Sequence, residues 1–414
     1  MKQVLYVAYH FPPQSGSSGL LRSLKFCRYL PESGWLPTVL SVKPIAYERV
    51  EQSLLTGIPP EVAVIRTLAL DTRRHLSIKN RYANWMALPD RWISWLLTAV
   101  PAGLLTIYRK RIDVIFTTFP IATAVFIGLI LHRLTGKPWV VDFRDSMTED
   151  DYPRDERTRH VYRKIERQAI RHGTLFLFTA ASTVDMYLKR YPELRPEKCV
   201  LLPNGYDEED FAALATPSVG PASAGRPLRL LHAGLIYPEE RDPRPFFEAL
   251  SRLRTERKLD TTKLQVNLRA SGDEEYFAKL LGEFHIEDLV RLSPPLPYQQ
   301  VLQEAASADA LLLFQGVTCN HQIPAKAYEY LRLRRPIFAL TTHEGDTAAL
   351  LRDVGGATIV NMYDPEAIYQ SILGFLDTLT QGSHPLPDAE KTSVYARRNQ
   401  AHQLSRYLSQ IITP

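Results

Sequence analysis

Short apolar runs separated by helix-length segments recur along this chain, and that alternation constrains its fold more than any other feature. In the first half the runs are Val4–Tyr9, Thr38–Val42, Val62–Arg66, Val114–Thr117, Trp139–Phe143, Leu175–Thr179 and Val200–Leu202. Their hydrophobicity is continuous rather than alternating, as strands require when helices cover both faces of a parallel sheet. Segments between them, such as Leu20–Leu30 and Ala122–Leu134, have the length and residue types of helices. A small-residue and proline stretch at 212–227 interrupts the series and reads as a linker. The series then restarts with Leu228–His232, Leu264–Leu268, Val290–Leu292, Ala310–Phe314, Pro336–Leu340 and Thr358–Val360. The expectation is an α/β chain with two Rossmann-like domains, 1–211 and 228–390. A last segment, 391–414, holds one more helix over Val394–Ile412.

Composition narrows the functional classes. A length of 414 residues suits two or three domains, and 45% hydrophobic with 23% charged residues is a globular balance. Lys+Arg 50 against Asp+Glu 45 leaves +5, too dilute a charge for a nucleic-acid groove but suited to a small anion or an acidic membrane. Cys27, Cys199 and Cys319 lie far apart and make no pairwise motif, so neither a disulfide framework nor a Cys-rich zinc site is expected. A cytoplasmic location follows as the expectation. The apolar stretch at the N-terminus is too short for a signal peptide and lacks a small-residue cleavage site. Trp92 to Tyr108 is uncharged but short, and Pro101 and Gly103 interrupt it; a buried helix is expected there.

In open parallel sheets, ligands bind beyond the carboxyl ends of the strands, where helix N-termini offer free N–H groups. Four segments fall at such places. His10–Arg22 follows the first strand and contains Gly16 and Gly19, which let backbone approach an anion; alone it also fits a turn with a helix cap. Asp142-Phe143-Arg144-Asp145 ends another strand. Its charges either lock the loop through an ion pair or orient sugar hydroxyls. His232-Ala233-Gly234 opens the second half and leads to Arg241, whose planar guanidinium suits a diphosphate, though a solvated arginine after a strand reads the same way. Gln322–Leu331 places Pro324 in a first helical turn, with Lys326 and Glu329 three apart on one face. That pair is either a surface salt bridge, or an ammonium for phosphate beside a carboxylate for ribose hydroxyls.

The order and spacing of His10–Arg22 with Tyr29–Trp35, Asp142–Asp145, Pro203–Asp207, His232–Gly234 with Arg241–Pro243, and Pro324–Leu331 with Arg335–Ile337 carry a family likeness. The chain resembles the family 4 retaining glycosyltransferases of the GT-B fold, particularly bacterial cell-surface polysaccharide members. The resemblance implies two domains facing across a cleft, acceptor in the first and sugar nucleotide in the second, with the C-terminal helix crossing back to the first. It implies donor contacts from Gly16, Gly19, Gly234, His321, Pro324 and Glu329, the last to the ribose. Arg241 and Lys326 would stabilise the leaving diphosphate, with Arg144 and Asp142 also catalytic and His10 and Asp145 on the acceptor side. The family's earlier glutamate falls at His321, a departure at the usual donor-sugar contact.

The implied reaction transfers a sugar from a UDP- or GDP-sugar to a glycan or polyprenyl-linked acceptor. The nucleotide sugar is a co-substrate and no cofactor is implied. No Asp-x-Asp ligand motif appears between the strands, so no metal is expected. Arg154–Arg171, with Arg157, Arg159, Arg163, Lys164, Arg167 and Arg171 against a Val161/Ile165/Ala169 stripe, is either a basic amphipathic helix on an anionic membrane or a solvated face over a core stripe. Trp85, Trp92 and Trp95 line either an acceptor groove or the core. Two rival readings remain: a nucleotide-sugar epimerase, and a degenerate sugar-nucleotide-binding partner protein suggested by His321. A dehydrogenase is excluded because neither half carries a complete glycine fingerprint.

Overall fold

Each apolar run becomes a parallel strand, and the strands sort into two sheets. The computed structural model describes residues 1–15, 19–79, 81–212, 214 and 225–412. It divides into two units, Met1–Pro203 with Arg397–Pro414, and Asn204–Ala396. Most of the expected linker, 213 and 215–224, lies outside the described residues.

The first unit holds β1 (Lys2–Val7), β2 (Trp35–Val42), β3 (Ala63–Thr67), β4 (Val114–Thr118), β5 (Trp139–Phe143), β6 (Leu175–Phe178) and β7 (Cys199–Leu201). Their order is β3-β2-β1-β4-β5-β6-β7. Its helices are α1 (Gly19–Tyr29), the short α2 (Thr72–His75), α3 (Leu96–Arg109), α4 (Ala122–Thr135), α5 (Glu156–His172) and α6 (Ala181–Arg190). Leu5 and Val7 join one core with residues of α3 to α6, whereas Val4 and Tyr6 join a second core with Leu24 and Phe26 of α1. Burial on both faces is the reason these strands read as unbroken apolar runs. The last helix of the chain, α15 (Arg397–Gln410), adds Ala401, Leu404 and Leu408 to that second core and packs beside α1.

The second unit begins with the short α7 (Glu208–Phe211) and orders its strands β10-β9-β8-β11-β12-β13. These are β8 (Leu228–Ala233), β9 (Leu264–Arg269), β10 (Val290–Ser293), β11 (Ala310–Gln315), β12 (Ile337–Thr341) and β13 (Ala357–Val360). The helices are α8 (Arg244–Thr255), α9 (Glu274–Glu283), α10 (Tyr298–Ser307), α11 (Ala325–Leu333), α12 (Asp346–Val354), α13 (Pro365–Gln381) and α14 (Ala389–Ser393). The final helix starts at Arg397 rather than Val394 because Ala396 pairs with Tyr206 in an isolated bridge.

One expectation changes on packing grounds, and one open alternative is decided. The Trp92–Tyr108 segment forms α3, but only one side of it is buried, through Ala99, Gly103, Thr106 and Ile107. The opposite side leaves Leu97 80%, Leu105 51% and Tyr108 70% exposed, so it is a surface helix. The α5 stripe is spent in the core: Ile165 and Ala169 are buried with Tyr162, and Val161 packs against them. Among the tryptophans, Trp95 is core, Trp92 packs on Tyr9 with ring centroids 4.5 Å apart, and Trp85 is exposed. Among the described residues no helix is long and apolar enough to cross a membrane.

Close helix-to-sheet packing depends on Gly128 in α4. A Cβ there would fall 2.3 Å from Thr117 Cγ2 and 2.6 Å from Trp139 Nε1. Gly128→Ala gains about 1 kcal/mol of helix propensity, yet overpacking of about 1–3 kcal/mol outweighs it. The expected result is a lower urea midpoint at an unchanged m-value.

Candidate nucleotide-binding and acceptor sites

In the second unit, the polar groups gather at the carboxyl ends of β8 and β11. His232, wholly buried at the end of β8, places Nδ1 2.9 Å from the Leu312 carbonyl. A carbonyl only accepts, so Nδ1 carries the proton and Nε2 is left as an acceptor. Lys326 Nζ lies 3.0 Å from that Nε2 and donates to it. Burial, then the positive charge of Arg241, pushes the Lys326 ammonium down to about 7, while Glu329 opposes the shift. Burial and Lys326 hold His232 well below the usual imidazole value, which keeps it neutral.

Gly234 turns the chain away from the strand at φ +107, and a Cβ there would sit 3.0 Å from Lys326 Nζ. Backbone thus approaches the ammonium closely, as an anion cradle requires. The Arg241 guanidinium lies over the Tyr237 ring, and its Nε is buried with no hydrogen-bond partner among the described residues. An unspent guanidinium donor beside a partly desolvated ammonium is an arrangement chemically suited to an anion. The loop bearing Arg241 packs onto the one before α11: a Cβ on Gly316 would strike the Glu240 carbonyl oxygen at 1.7 Å. Pro324 is the N-cap of α11, and His321 lies in the loop just before it.

Glu329, one turn along α11, accepts a 2.7 Å hydrogen bond at Oε1 from the Tyr298 hydroxyl on α10. Tyr330 Oη accepts from the Ala233 N–H at 3.0 Å and ties the exit of β8 to α11. Arg241, Lys326, Glu329 and Gly234 are therefore brought together, with His232 and Tyr298 as supports. If Tyr298 fixes the Glu329 carboxylate for a nucleoside, Tyr298→Phe should weaken UDP binding by about 0.5–1.5 kcal/mol. Glu329→Ala should cost about 1–3 kcal/mol, both read by calorimetric titration.

The first unit gathers a different set after β1 and β5. Gly16 lies outside the described residues, but Gly19 opens α1 directly beneath Arg144: a Cβ on it would fall 1.8 Å from Arg144 Nη1. Arg144 lies 3.7 Å from the half-exposed Asp145 carboxylate. His10, partly buried, is pushed down to about 3 by burial and by Arg144, so it is a neutral imidazole. Asp142 is enclosed by protein donors. It is 0% exposed and accepts from Arg22 Nε at 3.0 Å, Arg22 Nη2 at 2.9 Å and Thr118 Oγ1 at 3.1 Å. Both its oxygens face protein donors, which makes it an anchor beneath the site and leaves the rim to Arg144 and Asp145.

Residues 21–205 match the family described as "Glycosyl transferase 4-like domain". Anabaena HepE, in complex with UDP-glucose, superposes with a TM-score of 0.67 at 13% identity, covering 99% of this chain and 100% of that one. The chain has a GT-B, glycosyltransferase-like fold. Sucrose-phosphate synthase from Thermosynechococcus elongatus superposes with a TM-score of 0.65 at 15% identity over 99% of both chains. A UDP-N-acetylglucosamine 2-epimerase also superposes, with a TM-score of 0.54 at 14% identity over 95% of this chain and 94% of that one. No curated protein matches the sequence.

In this glycosyltransferase-like chain, three supports escaped the reading of the sequence. Arg22 is the largest of them. Besides Asp142 it donates to the carbonyls of Pro203 at 2.8 Å and Leu202 at 3.0 Å. The signal available was an arginine on the same face of α1 as Gly19, Ser23 and Phe26, all buried. Tyr298 and the His232–Lys326 contact left none, because each joins positions far apart in the chain.

Proposed function

We propose that this chain transfers a glycosyl group, with retention, from a UDP- or GDP-sugar to a glycan or polyprenyl-linked acceptor, in polysaccharide assembly at the cytoplasmic face of a membrane. One observation carries the reading: Arg241 and Lys326 converge on the Gly234 turn, with Glu329 held by Tyr298 on the same side of α11. The likeness to HepE, a structure with UDP-glucose, supports the same class of donor.

Breaking the anomeric C–O bond leaves its electron pair on the diphosphate, and the two cations meet that charge as it develops. His232 holds the ammonium by accepting a hydrogen bond from it, so little reorganisation is needed at the moment of reaction. Glu329 accepts from the ribose hydroxyls. The acceptor hydroxyl attacks from the leaving-group face and forms the new C–O bond, and its proton passes to a phosphate oxygen, which explains why no carboxylate nucleophile is assigned. His10, Arg144 and Asp145 serve the acceptor, His10 as a neutral imidazole able to accept one hydroxyl proton and donate another. Placed cations in both roles make a metal unnecessary.

The test is a thermal-shift panel of UDP-, GDP- and dTDP-sugars, followed by donor hydrolysis with and without EDTA. One uridine or guanosine donor should stabilise the protein and turn over equally in EDTA. Stabilisation without turnover would favour a sugar-nucleotide-binding partner protein, the reading that His321 in place of the family glutamate keeps open. Turnover abolished by EDTA and restored by magnesium would remove the two-cation mechanism.

A further inference from the structure

The exposed side of α3 is an unbroken apolar ridge. Leu97, Pro101, Leu105 and Tyr108 are all exposed and recur at helical spacing, and no charge interrupts them. The ridge is about 16 Å long at the usual helical rise. It runs directly into Arg109, Lys110 and Arg111, three exposed cations in succession. At its other end the chain arrives through a stretch with Arg73, Arg74 and Arg81 exposed and Trp85 73% exposed. Between residues 72 and 111 there are eight Lys or Arg, of which Arg91 is paired with Glu48 at 2.9 Å and Asp71 at 3.6 Å, and one acidic residue, Asp90. Asp90 is buried and accepts from Thr123 through both oxygens, at 2.7 and 2.8 Å, so it cancels nothing at the surface.

We propose that this face of the first unit docks on an anionic lipid surface, the α3 ridge entering the headgroup boundary and the flanking cations pairing with lipid phosphates. Charge selects the occupant. A second copy of the chain would bring the same cations against one another, and four ridge side chains cover far less than the ~800 Å² per partner of a stable protein interface. A bilayer with acidic headgroups satisfies both parts at once, because apolar insertion and electrostatic attraction add.

The surface is not that of α5, for which the sequence left a membrane reading open beside a core-stripe one. The stripe of α5 is buried, so α5 has no apolar face to insert. Its exposed Arg163, Lys164 and Arg167 instead extend the positive charge of the same helical layer, in which α3 packs on α4 and α4 on α5. The inference rests on the first unit alone and does not depend on the proposed reaction.

Flotation of the full chain tests it, with vesicles of phosphatidylcholine alone or with one third phosphatidylglycerol. The wild-type chain should float with the anionic vesicles and stay behind with the neutral ones. Leu97→Ser/Leu105→Ser/Tyr108→Ser should lower the partition coefficient at least tenfold. Arg109→Gln/Lys110→Gln/Arg111→Gln should lower it about a hundredfold, each surface cation contributing roughly a fivefold factor. Both variants should keep the wild-type unfolding midpoint and the UDP-induced thermal shift, which read folding and donor binding separately. Failure of the wild type to float at low salt would overturn the proposal. So would equal flotation on neutral vesicles, wild-type flotation by the charge variant, or a dimer in solution that the serine variant dissolves.

Discussion

Lys326→Met is expected to lower turnover about a thousandfold while making the folded chain more stable at pH 7. Removing one preorganised donor from a developing oxyanion costs about 10²–10³ in rate, and Lys326 is also the charge closest to the Gly234 turn. The stability gain has the opposite sign because the folded chain holds this ammonium against desolvation, at about 7 instead of 10.5. Between those two values the unfolded chain binds a proton that the folded chain does not. Stability contributed through this group therefore rises with pH across that window, and Lys326→Met abolishes the rise. Ligand binding shows the complementary effect. A diphosphate beside Lys326 favours the ammonium, so UDP binding above pH 7 draws in a proton and affinity falls by up to tenfold per pH unit. Isothermal titration in buffers of different ionisation enthalpy measures that uptake. Identical proton uptake in Lys326→Met would show that another group titrates.

Asp142→Ala is expected to destabilise the first unit by about 3–5 kcal/mol, because it strands the buried Arg22 guanidinium without its counter-charge. The effect should appear as a reduced urea midpoint. A double variant, Arg22→Met/Asp142→Leu, should recover part of the loss, since a buried pair replaced by apolar groups is often neutral. Recovery stays incomplete because the carbonyls of Leu202 and Pro203 also lose their donor. The carbonyl of Pro203 keeps one partner, Gln400 Nε2 of α15, at 3.0 Å. Arg22 therefore joins the start of α1, the end of β5 and the chain leaving β7. A normal midpoint in Asp142→Asn accompanied by lost turnover would instead place Asp142 in contact with substrate.

The same contrast separates what was readable from what was not. Gly234, Lys326 and Glu329 stood out because residue type and place after a strand both pointed at an anion, and an i, i+3 pair on a helix needs no tertiary information to be placed on one face. Asp142 stood out equally as a carboxylate at a strand end, yet its oxygens are taken by Arg22, 120 positions away. A charged residue at a strand end reads the same in sequence whether a ligand or another side chain is its partner. Likewise the uncharged Trp92–Tyr108 segment carried no sign of which side would meet the sheet.

The sequence alone determined the two parallel sheets, since strands hidden on both faces must be apolar at every position and helices between them must span the crossover. It also determined that cations and glycines would lie at strand ends. Tertiary structure decided which of those charges stay available, which carboxylate becomes an anchor, and which side of α3 faces outward. Those outcomes depend on contacts between residues tens to hundreds of positions apart, and desolvation and ion pairing act on distance in space rather than along the chain.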